Sequence, residues 1–419
     1  MKARPAGRLR VAILIDDFFP ASGGIGRSVQ TQLEEMTALG HEVTLIAPDR
    51  HLEKPRLGRI IECPTIYLEG TPAHLSILHC TERRSRLISD VARFDVIHSQ
   101  TDRGALVLGA RLARRQGIPH LHTFHANIAG THKTVRGSIF GTLSYQVLVL
   151  PALRTASGRT VERPRLPSAH HETGGLAART DWRSFAEMAQ HVDAYTVPSP
   201  FMRDLIDEAA GHPLPSYVVP TGYNRGMKRA IKKAKRERAD QRVRFLAIGR
   251  LAKEKRLDVL IKAFRRANLP GAELVIVGDG DQRDALKGLA RGADNIDFRW
   301  HLSSLEAIAY ELVNADALAL SSYRFESQGL VITEAVAAGL PVLYCDDRLT
   351  VGLSEESALL VEPDISSMAR GFRALMDPRR RGAMSEASAR LLPDLGPERT
   401  AERYVEAYRD LIEREATRG

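Results

Sequence analysis

Residues 321–345 read SSYRFESQGLVITEAVAAGLPVLYC. The apolar run before them, residues 316–320, is a strand, and it passes into polar Ser321-Ser322, a carboxylate at Glu326 and a glycine at Gly329. Residues 330–338 carry a helical pattern with a second carboxylate at Glu334, and Gly339-Leu340-Pro341 is a helix stop. Ser327 is a candidate N-cap. Such a strand–turn–helix unit places free amides and the positive end of a helix dipole at the carboxyl end of a strand, where open α/β sheets bind anions. Gly329 leaves room for a phosphate to meet the backbone amides of Gly329 and Leu330. Glu334 leans back toward the helix start and can reach hydroxyls attached to that phosphate, with Glu326 at the other end of the ligand. The unit reads as a nucleotide-sugar site. For the two glutamates alone, a plain βα unit with solvated carboxylates is the competing reading.

The surrounding pattern sharpens this. Glu326-x7-Glu334, set in F-E-S-x-G-L-x-x-x-E-A-x-A-x-G-L-P, resembles the signature of the retaining glycosyltransferases of family 4. The resemblance implies the GT-B fold: two Rossmann-like parallel-sheet α/β domains facing a cleft, with a C-terminal helix crossing back to the first. It extends to Gly249-Arg250-Leu251-x-x-Glu254-Lys255, where Arg256 replaces the usual Gly. Two cations at a strand's carboxyl end also suit a departing diphosphate on chemical grounds. Gly23-Gly24-Ile25-Gly26 is a Gly-rich turn opening a helix, and family members use the matching loop beside the donor phosphates, which assigns Gly24 there. His125, ending His120-Leu-His-Thr-Phe-His125, stands where the family has a histidine beside the transferred sugar. A zinc site of His120, His122 and His125 is disfavoured, since His125 falls on the other face of the strand. Gly278-Asp279-Gly280 and Pro220-Thr221-Gly222 are lesser matches. Thr221–Asn224 and Trp300-His301 depart from the family pattern, at positions that bear on base or sugar preference.

The implied site is therefore His125, Arg250, Lys255 and Glu326 for catalysis, with Gly24, Gly249, Gly329, Leu330 and Glu334 for the donor. The implied chemistry is a front-face single displacement without a metal or other cofactor.

The chain has 419 residues, 43% hydrophobic and 26% charged, enough for two ordinary domains of a soluble globular class. Apolar runs alternate with helical patterns from residue 10 to 222 and restart at residue 244, which argues for two doubly wound parallel sheets. The expected division is 1–222, with helix 398–419 packing back on it, and 223–397. Residues 154–180 read as a long mobile loop. Cys63, Cys80 and Cys345 lack disulfide or metal spacing and fit buried thiols in a reducing cytoplasm.

The formal charge is +9, concentrated in residues 225–244 and the N-terminal tail. No aromatic residue interrupts that basic run, which counts against nucleic acid, and a solvated linker competes with membrane contact. No apolar run is long enough to span a bilayer, and no signal peptide is evident.

His98-Ser-Gln-Thr101, PHLHTFHA and Glu326-Ser-Gln328-Gly look most like the diacylglycerol glycosyltransferase branch, with Gln328 where Phe is commoner. That branch implies a peripheral enzyme on the inner face of the cell membrane, a lipid acceptor and UDP-glucose in preference to a GDP-sugar, with no obligate protein partner. Residues 139–153, flanked by Lys133, Arg136 and Arg154, could dock on anionic lipid, with Leu148, Val149 and Leu150 as the contacts to replace by Ser. A buried helix is the equal alternative. A cytosolic enzyme with a soluble acceptor, a sugar-nucleotide epimerase and a non-catalytic sensor remain open. A Rossmann dehydrogenase is disfavoured by the glycine spacing.

Overall fold

The computed structural model describes residues 7–17, 23–50, 59–67, 76–127, 138–170, 174–238, 241–300, 302 and 304–418. His301, Lys133 and Arg136 lie outside the described residues. The chain forms two compact units: Met1–Pro220 with Glu398–Gly419, and Thr221–Pro397.

The first unit is built on seven parallel strands: Arg10–Leu14, Glu42–Pro48, Arg59–Cys63, Val96–Ser99, His120–Thr123, Ala194–Val197 and Ser216–Val218. Numbered along the chain, their spatial order is 3-2-1-4-5-6-7. The second unit has six parallel strands, Val243–Ile248, Ala272–Val277, Ile296–Arg299, Ala317–Leu320, Val342–Tyr344 and Ala358–Leu360, in the order 3-2-1-4-5-6. That is the doubly wound Rossmann order, and it reverses direction between strands 1 and 4. Central strands such as Arg10–Leu14 (RVAIL) and Ala317–Leu320 (ALAL) read as apolar runs, as strands of buried parallel sheets do. Ala272–Val277 is buried along its whole length.

The final helix, Pro397–Arg418, belongs to the first unit except for its first residue. Ala401, Tyr404, Tyr408 and Leu411 join the core formed by Val11, Ile13, Val43 and Val96. Tyr408 Oη lies 2.6 Å from His98 Nδ1, and Thr400 Oγ1 donates to the Pro220 carbonyl at 3.1 Å.

Several local expectations need correction. Residues 154–157 finish a helix and Leu176–Gln190 is another, so the irregular stretch is shorter than its Gly and Pro content suggested. Its described part is tied down: Arg165 N donates to the Ala209 carbonyl at 3.0 Å, and Arg179 Nε to the Pro167 carbonyl at 2.6 Å. The basic run is no solvated linker. Arg225–Lys233 is a helix capped by Asn224, whose side chain accepts from Met227 N at 2.7 Å. Beyond it Arg236 and Arg238 pair with Asp316, and Arg238, Arg242 and Arg244 with Glu273. Much of the local positive charge is thus neutralised inside the second unit. Finally, Val149 and Leu150 are core residues, and of the three positions named for membrane contact only Leu148 faces outward.

Among the described residues no helix is long and apolar enough to cross a membrane. The three cysteines are free thiols, and burial raises the pKa of each.

Candidate active site

The second unit holds seven of the predicted residues, Gly249, Arg250, Lys255, Glu326, Gly329, Leu330 and Glu334, on the segments that follow two neighbouring strands. Strand Val243–Ile248 delivers Gly249-Arg250, and a single 3₁₀ turn, Lys253–Lys255, follows. The neighbouring strand Ala317–Leu320 delivers Ser321, Ser322 and the loop to Glu326. The two loops are stitched together. Ser321 Oγ donates to the Lys255 carbonyl at 2.7 Å, and Lys255 Nζ lies 2.5 Å from Glu326 Oε1. Ser322 Oγ donates to the same Glu326 oxygen at 2.8 Å. Glu326 is thereby fixed by a cation and a hydroxyl, and Lys255 Nζ also sits 5.4 Å from the centre of the Phe325 ring.

Arg250 is oriented by Glu254, four residues on, which is buried and forms an ion pair with its guanidinium. Glu254 was visible only as a motif letter; the structure makes it a positioning residue for Arg250. Arg256 explains the family glycine it replaces. It adopts φ +50, ψ +35, a left-handed conformation that glycine accepts at no steric cost. Its guanidinium instead donates to the Pro363 carbonyl at 2.6 Å.

The turn holding Arg250 is clasped from the side. Gly249 N donates to the Val277 carbonyl at 3.0 Å, and Leu251 N to the Asp279 carbonyl at 2.9 Å. Gly278 and Gly280 lie so close that a Cβ at either would overlap the Gly249 or Leu251 carbonyl oxygen. These glycines serve backbone packing.

Helix Leu330–Ala337 starts where the pattern placed it, but its N-cap is Gly329 in place of Ser327. Gly329 has φ +82, so the chain enters the helix through a conformation that disfavours a side chain. The helix start and its dipole thus belong to the same unit as Arg250 and Lys255, and Glu334 is buried in the second turn. Together they offer two cations and a helix N-terminus to an anionic ligand.

Gln328 proves structural. Its Nε2 donates to the Thr221 carbonyl at 2.7 Å and its Oε1 accepts from Thr221 N at 2.8 Å. Gln328→Ala would strand both backbone groups, and a stability loss of about 1–3 kcal/mol is expected in urea denaturation. A change below about 0.5 kcal/mol would show that the double bond is not formed in solution.

His125 and Gly24 belong to the first unit. Gly24 is in the first turn of helix Gly23–Ala38, so the Gly-rich segment is helical where a preceding turn was expected. His125 follows strand His120–Thr123, with Nε2 2.8 Å from Gln100 Oε1. Burial lowers its pKa to about 4, so the ring is neutral at physiological pH. The three histidines of this segment do not share one partner. His120 and His122 both lie 2.8 Å from Ser99 Oγ, while His125 turns to Gln100.

His98-Ser-Gln-Thr101 is scaffolding: His98 bonds Tyr408, Ser99 holds two histidines, and Gln100 carries His125. Thr101 Oγ1 donates to Asp16 Oδ2 at 2.6 Å. Asp16 and Asp17, after the first strand, were not singled out as site residues. Asp16 accepts from Leu78 N at 2.7 Å and Ala105 N at 3.0 Å, and burial raises its pKa despite these bonds. Asp17 pairs with Arg103, and burial lifts its pKa to about 7.

Two family models match the chain. One described as Glycosyltransferase Family 4 covers residues 22–226, and one described as Glycosyl transferases group 1 covers residues 228–390. The alpha-monoglucosyldiacylglycerol synthase of Streptococcus pneumoniae is 23% identical over 80% of this chain and 70% of its own length. That of Acholeplasma laidlawii is 24% identical over 80% of each. A GDP-mannose-dependent alpha-mannosyltransferase of Mycolicibacterium smegmatis is 25% identical over 81% of this chain and 80% of its own. Among solved structures, sucrose-phosphate synthase of Thermosynechococcus elongatus superposes with a TM-score of 0.69 at 19% identity, covering 97% of this chain and 100% of that one. Anabaena HepE, in complex with UDP and glucose, gives 0.65 at 14% identity, covering 95% and 99%. These structural likenesses concern the fold.

Proposed function

This chain belongs to the family 4 glycosyltransferases, and on that premise we propose that it moves glucose from UDP-glucose to a membrane lipid such as diacylglycerol, with retention of configuration. The observation that supports the reading lies at the strand ends of the Rossmann-ordered second unit: Lys255 pairs with Glu326, Glu254 orients Arg250, and helix Leu330–Ala337 starts four residues after Glu326. Two relatives named for monoglucosyldiacylglycerol synthesis support the lipid acceptor.

In the proposed reaction the bond from the anomeric carbon to the diphosphate breaks as negative charge builds on the leaving oxygens. Arg250, Lys255 and the amides of Gly329 and Leu330 stabilise that charge. The acceptor hydroxyl attacks from the same face and passes its proton to the departing phosphate oxygen. Glu326 binds sugar hydroxyls near the developing oxocarbenium ion, and Glu334 binds the ribose. Gly249 lets backbone approach the donor, a part that the family resemblance gives also to Gly24 and, beside the sugar, to His125. The cationic side chains take the role that a divalent metal fills in other transferases, so EDTA is expected to leave turnover unchanged. Loss of activity restored by a divalent ion would refute metal independence.

The deciding experiment measures nucleotide release from UDP-glucose and from GDP-mannose, each with and without anionic liposomes containing diacylglycerol. Release from UDP-glucose that requires diacylglycerol and yields a glycolipid is the expected result. The mannosyltransferase relative makes GDP-mannose the donor to run beside it. Donor binding without lipid-dependent turnover would replace the lipid acceptor by a soluble one.

A further inference from the structure

The turn that carries Glu326 passes through a conformation that its residues do not favour. Among the described residues three that are not glycine have positive φ: Arg256, Asn268 and Arg324. Two of the three stand in the turns that hold Lys255 and Glu326. Arg324 has φ +57, where a Cβ is crowded and glycine, Asn and Asp are the usual occupants. A long side chain there persists only where its surroundings over-determine it, and such residues gather at functional sites.

The surroundings of Arg324 come from the next strand. Strands Ala317–Leu320 and Val342–Tyr344 are parallel neighbours, and the chain leaves the second through Cys345, Asp346, Asp347 and Arg348. Arg324 N donates to Asp346 Oδ2 at 2.7 Å, and the buried Arg324 guanidinium pairs with Asp347 at 3.1 Å. Asp346 has no exposed surface and is itself gripped by a fork. Arg348 Nε lies 3.0 Å from its Oδ1, and Arg348 Nη2 lies 2.8 Å from its Oδ2. A bidentate pair fixes the direction of a carboxylate as well as its place. The Arg324 amide therefore meets an acceptor that cannot turn away.

The other side of the turn closes on Glu326. Ser322 and Glu326 flank Arg324 by two residues each, and their side chains meet at 2.8 Å. The chain must fold back sharply between them, and a left-handed residue at the midpoint is one means of doing so. Tyr323 ties in the neighbouring turn. The guanidinium carbons of Arg324 and Arg256 lie 5.2 and 5.6 Å from its ring centre, and Arg256 directly follows Lys255.

We propose that Asp346 and Arg324 are positioning residues for Glu326. Asp346, locked by Arg348, holds Arg324 in the left-handed turn that sets Glu326 between Ser322 and Lys255. The effect on rate rests on the reading of Glu326 as a ligand of the transferred sugar; the effect on loop order does not.

The test uses D346A/R348M, which removes the acceptor and leaves neither member of the buried pair without its partner. Three quantities are measured: kcat with UDP-glucose and diacylglycerol, UDP affinity by calorimetry, and amide hydrogen exchange of residues 321–329 by mass spectrometry. A fall in kcat of about tenfold to a hundredfold is expected, the effect of misplacing a reacting group by about 1 Å. UDP affinity should stay near the wild-type value, and residues 321–329 should exchange about tenfold faster. A second pair, R324A and R324G, leaves only the exposed Asp347 without its partner and so reports even if the double variant does not fold. R324G is expected to be the faster enzyme by about threefold or more, because glycine accepts positive φ. Wild-type kcat or unchanged exchange in D346A/R348M overturns the proposal, as does equal kcat in R324A and R324G. So does a matching loss of kcat and UDP affinity, since Asp346 would then support the unit as a whole. A wild type that turns over no UDP-glucose rejects the donor reading instead, and the exchange of residues 321–329 then decides whether Asp346 holds the turn.

Discussion

Replacing Lys255 by alanine is expected to lower kcat by about two to three powers of ten while leaving the fold intact. The magnitude is that of deleting one preorganised donor to a developing oxyanion. The geometry argues for a large effect. Lys255 is held at the end of a one-turn helix by its carbonyl bond to Ser321, and its ammonium is 2.5 Å from Glu326. Alanine removes the cation beside Glu326 and, in the proposed reaction, the charge that meets the leaving diphosphate. Lys255→Arg would keep the charge and recover part of the rate. Single-turnover kinetics with saturating UDP-glucose separates the chemical step from donor binding. A turnover equal to wild type would remove Lys255 from the mechanism.

The second large effect is expected at Gly278. Gly278→Ala places a Cβ 1.9 Å from the Gly249 carbonyl oxygen, at a backbone φ of +144. The obstacle is backbone, so no side-chain rotation relieves it, and the conformation itself is costly for a non-glycine residue. Overpacking and strain together predict a loss of roughly 2–5 kcal/mol in urea denaturation. Catalysis should fall too, because the displaced strand end carries Arg250 and, through its turn, Lys255. The contrast is Gly249→Ala. There, among the described residues, a Cβ meets the Lys255 side chain alone, at an ordinary 3.7 Å from Cε and 4.0 Å from Cδ, and stability should change by less than about 1 kcal/mol. Its effect is expected in donor KM, where the backbone must approach the phosphate. Wild-type stability in Gly278→Ala would mean that the two strand ends are not in contact in solution.

These two predictions draw on different layers of information. The strand and turn that carry Arg250 and Lys255 were legible in the sequence because that local pattern spans only seven residues. The buried parallel strands were legible for a similar reason, since such strands are simply apolar runs. What escaped depends on partners far along the chain. The basic run looked like a solvated linker because its counter-charges, Glu273 and Asp316, lie well downstream. Gln328 looked like a mark of acceptor preference until Thr221, 107 residues away, appeared as its partner. Ser327 was the natural N-cap by side-chain chemistry, yet the backbone turns into the helix through Gly329 at positive φ. Glu82–Val91, ERRSRLISDV, is a helix whose mostly charged, exposed surface hides its period. Pro393, a residue that ordinarily breaks a helix, sits inside Pro378–Leu395.

The last helix has a consequence for how the chain is made. Tyr404 and Tyr408 are fully buried in a core whose members outside the final helix all lie in the first two hundred and twenty residues. Ribosomal synthesis runs from the N-terminus, so these two rings emerge only after Thr221–Pro397 has been made. Until then His98 lacks the Tyr408 hydroxyl, and the hydrophobic surface under Ala401, Tyr404 and Leu411 stays open. The nascent first unit therefore waits, incomplete, while the second is synthesised and free to fold. A stop codon or protease cut before Tyr404 would leave Thr221–Pro397 whole and the first unit without its closing segment, the species most prone to aggregate.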